Sequence, residues 1–402
     1  MLSRAHVIKA LQAQSDAFAS YEQRASDARK LYEALLALKS LPLARAGAVK
    51  GLAQLSPESA PDLLATALTD SERHVRYAAM AALKTVPGEA LTTRAAGLLA
   101  QLPPDHAVQL IEVLTIRGDR SARSAIIQAT AHKEEAVSVS ALNALAFCGR
   151  TEDVPLLVEK LNTAGSVAQA AGFALTRLPD KGVAARVKEM LTGMDAKRQT
   201  QLVRLLANRA DPNDAAVLCE LVANKNAALA VEAARGLKLA GGEAEFRRLV
   251  ELLAAELDAA QVRPAIEAAA ARIVKRVWQG DSAKVLALLK DAPDRQRASL
   301  LSVLSLIGDD RALPAVLEAG KTADGPVKDA AIRALAEWPT PAPLKELLEL
   351  AKATPDVKQH VLAMRGYIRH LADALRNDGA DPEALARTVT DTPAAAAILA
   401  RF

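Results

Sequence analysis

The side chains best able to do chemistry in this chain of 402 residues are scattered, not grouped. The six histidines, His6, His74, His106, His132, His360 and His370, include no pair three or four residues apart, the spacing at which one helix face presents two imidazoles to a metal ion. Cys148 and Cys219 stand alone, with no CxxCH for a haem, and read as small buried hydrophobes. There is no GxSxG, Walker loop or GxGxxG, and Gly241-Gly242 reads as a turn between helices. Glu134-Glu135 and Asp309-Asp310 fall at helix starts, where capping and the helix dipole account for paired carboxylates without acid/base work. These residues predict no catalytic centre, no metal and no cofactor.

What remains is binding. Arg204 and Arg235 lie 31 residues apart, and with Phe173 before them and Arg333 beyond they form the candidate partner-binding groove. Guanidinium groups repeated at that interval suit an acidic peptide or phosphates, and Phe173 supplies an apolar anchor. The other reading of these positions is an ordinary solvated helix face. Trp278 and Trp338 are aromatics of the kind that could hold an extruded base, but Trp338 stands just before Pro339 at a helix end and reads as a wedge between repeats.

The elements that would position these residues are set by a repeat. Segments such as VRYAAMAAL, VSVSALNAL, VAQAAGFAL and VKDAAIRAL align, and each closes on a leucine. The closing residues are Leu52, Leu83, Leu114, Leu145, Leu175, Leu206, Leu237, Ile273, Leu304 and Leu335, and we call them anchors. They recur every 30 or 31 residues except across one insertion of five residues between Leu237 and Ile273, which is expected to lengthen the helix after Gly241-Gly242. One turn before each anchor stands an alanine or leucine, which admits a close neighbouring helix. Twelve residues after many anchors comes a second apolar stripe, as at Leu64, Leu157, Leu218, Leu249 and Leu347, and helix breakers stand four residues past, as at Pro87, Gly118, Gly149 and Gly308. Each repeat is therefore a helical hairpin, and two residues before each anchor the side chain points away from the core. Phe173, Arg204, Arg235 and Arg333 all hold that position.

Composition agrees: 51% of residues are hydrophobic but only 3% aromatic, which suits helix packed on helix. A two-helix unit cannot bury its own faces, so the expectation is an all-α, right-handed α-solenoid of about 10–11 hairpins with a 31-residue period. The array should run over 43–370 between an N-terminal helical cap over 1–42 and a C-terminal one over 371–402.

These residues resemble HEAT repeats of the short bacterial type, with His74-Val75-Arg76-Tyr77-Ala78-Ala79 through Leu83 as the clearest match. DAAIRALAEWPTPAPLKELLELAK and VLAMRGYIRHL are similar to the repeat modules of exported HEAT proteins of planctomycete-type bacteria. The resemblance covers about residues 40 to 370. It implies an armadillo-type superhelix whose concave groove carries the positions two before each anchor, and a scaffold that binds a protein or peptide.

The alternative is a nucleic-acid-binding or DNA-repair HEAT-like protein with a basic groove. A net charge of +4 is far below what would line the whole chain for a phosphate backbone. No run approaches the ~18 apolar residues of a membrane helix, so the chain reads as soluble with no membrane partner. Compartment and oligomeric state stay open: cytoplasmic as the chain stands, periplasmic or exported if a leader was removed.

Overall fold

The computed structural model describes residues 23–255 and 260–378, and among these there is no β-strand. The outer parts of the two expected caps, residues 1–22 and 379–402, lie outside the described residues. The chain divides into two compact units, one through Val183 and one from Ala184. Each is a stack of antiparallel helical hairpins, the α-solenoid architecture.

A typical hairpin pairs a short helix with a longer anchor helix. In the first unit Ala60–Leu68 pairs with Arg73–Thr85, Glu89–Ala96 with Pro104–Arg117, Arg123–Ala129 with Glu135–Cys148, and Val154–Lys160 with Gly165–Arg177. Consecutive anchor helices also pack on each other, beginning with Pro42–Leu55 on Arg73–Thr85. In the second unit the anchor helices Ala196–Arg209, Ala227–Ala240, Val262–Val277, Asp294–Ile307, Gly325–Ala336 and Val357–Asp378 pack in the same consecutive way. Alanine and leucine hold these helices without β-branched crowding.

Every anchor from Leu52 to Leu335 is buried, and so is every residue one turn before it. Leu64, Leu157, Leu218, Leu249 and Leu347 of the partner helices are buried against them. The approach is close: a Cβ built on Gly236 would stand 2.9 Å from the Ala207 Cα of the preceding anchor helix. Trp338 is fully buried, with its indole Nε1 donating to Asp310 Oδ1 at 2.8 Å, so it is the wedge that its place before Pro339 predicts. Trp278 packs edge-on to Phe246 with centroids 5.2 Å apart.

Helix ends are satisfied across repeats. Arg117, Arg276 and Arg369 hold one register position, and each donates to a carbonyl at the end of the preceding anchor helix: Leu83 O and Val86 O, Gly241 O, and Trp338 O respectively. Leu83 is in the last turn of its helix, where carbonyls lack an internal partner, and Val86, Gly241 and Trp338 stand just past their helix ends. Hydroxyl–carboxylate pairs join the turns in the same way: Thr92 donates to Asp119, Thr151 to Asp180 at 2.8 Å, and Ser282 to Asp309 at 2.6 Å.

The helix after Gly241-Gly242, Glu243–Ala254, has 12 residues and is longer than the short helices of the other described hairpins, as the five-residue insertion predicts. It stops at Ala254, where Arg263 caps the end: Nη1 donates to Leu253 O and Nη2 to Ala255 O, both at 2.9 Å.

Two substitutions test the register. Leu145→Ala should lower stability by ~2–5 kcal/mol through the cavity it leaves, read from the urea unfolding midpoint. At Ala210, four past anchor Leu206, the backbone takes the left-handed conformation (φ 52°) that Gly118 and Gly308 supply at the equivalent place. Ala210→Gly should therefore raise stability by about 1 kcal/mol. A neutral Leu145→Ala would refute the anchor register, and a destabilising Ala210→Gly would refute the strain at that turn.

Candidate functional site

Helical geometry at about 100° per residue defines the face opposite the anchors, roughly 120–200° around from them. We call it the far face. Phe173, two before its anchor, is on it and is 40% exposed, with the Arg177 guanidinium carbon 5.4 Å from its ring centroid. Phe173 belongs to the first unit.

Arg204, Arg235 and Arg333 belong to the second. Arg204 and Arg235 are brought together, but Glu232 stands between them: Arg204 Nε lies 2.8 Å from Glu232 Oε1 and Arg235 Nη1 lies 3.4 Å from Oε2. The two guanidiniums share one carboxylate, so the pair offers one net positive charge where the register predicted two. The Arg333 side chain, at the same register position, makes no ion pair or hydrogen bond among the described residues.

Spacing from one register position missed three exposed side chains. Ile116 and Phe147, each two residues after its anchor, are 65% and 60% exposed, and Tyr77, six before its anchor, is also exposed. All fall on the far face of the first unit. Ile116 and Phe147 line a cavity of about 730 Å³ between Pro104–Arg117 and Glu135–Cys148, together with Val108, Val139, Glu112 and Asn143. A scan of every far-face position would have found them.

The groups suited to acid/base or nucleophilic work are occupied structurally. Burial pushes the thiols of Cys148 and Cys219 up to about 11, so both stay protonated near neutrality. His370 is buried with Nε2 3.0 Å from Leu335 O, and burial lowers its pKa. Among the described residues no three histidine, cysteine or acidic side chains gather as a metal site, and no helix is long and apolar enough to cross a membrane.

No family model matches the chain, and no curated protein does. Among solved structures it is similar to Kap121p at 14% identity and a TM-score of 0.40, over 87% of this chain and 46% of that one. It thus spans less than half the length of that protein. It is also similar to a structure of microtubule polymerases with tumor overexpressed gene (TOG) domain arrays, at 13% identity and a TM-score of 0.30 over 84% of this chain and 99% of that one. A third is human deoxyhypusine hydroxylase, at 17% identity and a TM-score of 0.28 over 71% and 98%. The class of the chain, a helical-hairpin repeat protein, rests on its own buried anchors.

The Asp309-Asp310 pair shows how far its carboxylates are committed. Burial would raise the Asp309 carboxyl, but Arg311 and the hydroxyl and amide of Ser282 donate to it and hold it well below the usual carboxylate range. A carboxyl depressed in the folded state stabilises above its unfolded value, ~3.9, and loses that contribution as pH falls through the folded value. Asp309→Asn should therefore cost ~1–3 kcal/mol at neutral pH, with the gap to the parent closing below about pH 4 in pH-dependent urea unfolding. A gap of constant size down to low pH would exclude the charge as the source.

Proposed function

We propose that this chain is a non-catalytic scaffold that binds a protein partner along the far face of its anchor helices. The observation that carries this reading is the exposed apolar set Tyr77, Ile116, Phe147 and Phe173 on consecutive anchor helices of the first unit. Large apolar side chains in contact with water around a cavity of about 730 Å³ mark a surface that gains by being covered. Covering Ile116 and Phe147 contributes ~1.5–3 kcal/mol each, enough to make them the centre of an interface.

The nucleic-acid alternative needs lysine and arginine where these residues stand. The far face carries Glu112 and Asn143 in the first unit, and the Arg204–Arg235 pair is half neutralised by Glu232. In this reading Phe173 adds to the apolar surface of the first unit, and Arg204, Arg235 and Arg333 offer polar contacts on the second.

Ile116→Asp combined with Phe147→Asp tests the reading. Both side chains are exposed, so the double variant should melt with the parent, yet captured proteins should be lost from a pull-down on the source organism's lysate. Undiminished capture of the same proteins would refute the reading, and so would a parent whose captured material is nucleic acid released by nuclease.

A further inference from the structure

The far face of the second unit changes character after Val262. The anchor helices Val262–Val277, Asp294–Ile307 and Gly325–Ala336 line a cleft of about 580 Å³ that carries charged side chains of both signs. On one wall Arg263 is tied down, donating to Ser299 Oγ at 2.8 Å as well as to the two carbonyls that end the preceding helix. Glu267 sits deeper, where burial raises its carboxyl while Ser299, Arg263, Ser302 and Arg333 favour its charged form. On the opposite wall stands Arg333, exposed and without an ion pair among the described residues, its charge within electrostatic reach of Glu267.

A second hollow of about 370 Å³, between Gly325–Ala336 and Val357–Asp378, shares Asp329 and Arg333 with the first. The two form one groove with Arg333 at its waist. Asp329 is occupied, since it accepts from Gln359 Nε2 at 2.7 Å. Lys358 and Arg365 line the second hollow and, like Arg333, make no ion pair among the described residues. Val357, 75% exposed, and Val361 add an apolar edge. The groove therefore engages Arg263 and Asp329 internally and leaves the side chains of Arg333, Lys358 and Arg365 without an ion pair among the described residues.

We infer that this groove receives an extended acidic segment of a partner protein, with one carboxylate in the fork of Arg333 and a second on Arg365 or Lys358. The chemistry follows from the free groups. A guanidinium takes a carboxylate through two parallel hydrogen bonds, and a pair enclosed in a cleft is less screened than one on an open surface. Neighbouring helices lie ~10 Å apart, and a polyproline II-like extended chain advances ~3.1 Å per residue with about three residues per turn, so acidic side chains three residues apart share one face and meet successive cations. Small apolar residues between them fit the Val357 and Val361 edge. This inference rests on the reading of the chain as a protein-binding scaffold, but not on the apolar surface of the first unit.

The test is fluorescence anisotropy with a labelled peptide carrying glutamate at every third position and alanine or valine between, against the full chain. The peptide should bind, weaken as salt rises, and lose at least tenfold in affinity with Arg333→Glu. Arg235→Glu should change it less than twofold, and Arg333→Lys should retain part of the binding because it keeps charge without the fork. The variants should melt with the parent, since Arg333 is exposed. Parent-like affinity in Arg333→Glu would overturn the inference, as would no peptide binding at all or tighter binding of an oligothymidylate of equal charge. Failure here with Ile116/Phe147-dependent capture intact would remove the acidic groove and leave the scaffold reading standing, while the reverse pattern would remove the apolar surface.

Discussion

Burial of the anchor residue between one hairpin and the next is the interaction on which everything else depends. A pair of short helices has more apolar face than it can cover by itself, and the leucines at the anchor and its preceding turn are covered only when a second anchor helix lies alongside. That contact requires small neighbours, and Gly236 against Ala207 shows how little space remains. Dependence on the neighbour recurs in the polar groups. Arg117, Arg276 and Arg369 satisfy carbonyls that belong to the preceding repeat, and Asp119, Asp180 and Asp309 accept from hydroxyls in it. Stability in each unit is thus assembled from nearest-neighbour terms, apolar at the anchors and hydrogen-bonded at the turns.

The anchors and breakers were legible because burial forces them to recur at the period of the hairpin. Leu52 through Leu335 had to be apolar whatever the rest of the repeat does. The five-residue insertion was legible as a length but not as a shape, since the helix stop at Ala254 depends on Arg263 reaching back to two carbonyls, a contact between elements that no spacing encodes. Ala210 is another such case: a breaker position filled by a residue with no breaker signature, held left-handed by its surroundings.

The binding face was harder to read for a related reason. A helix has several positions on the side away from the core, and following one of them found Phe173, Arg204, Arg235 and Arg333 while passing over Ile116 and Phe147. Charge pairing across repeats was also hidden. Glu232 reaches both Arg204 and Arg235 because three residues along a helix and one step to the next helix bring it between them, and a register that marks arginines alone counts two free cations there.

The far face owes little to folding. Anchors, the residues one turn before them and the partner-helix stripe are buried in the core, and Ile116 and Phe147 stand mostly outside it. Exposed apolar groups add no stability to the folded chain and raise the risk of association. Charges placed without partners, as at Arg333, contribute little to folding either. Departures from a plain alanine and glutamate surface at these positions are consequently unexplained by the architecture, and that is the physical ground for assigning them to recognition. The same argument separates Arg333 from Arg209, whose guanidinium is buried on Asp214 at 2.6 Å and whose role is structural. Burial with a partner marks a residue that holds the repeat together, whereas exposure without one in a groove marks a residue whose partner comes from another molecule.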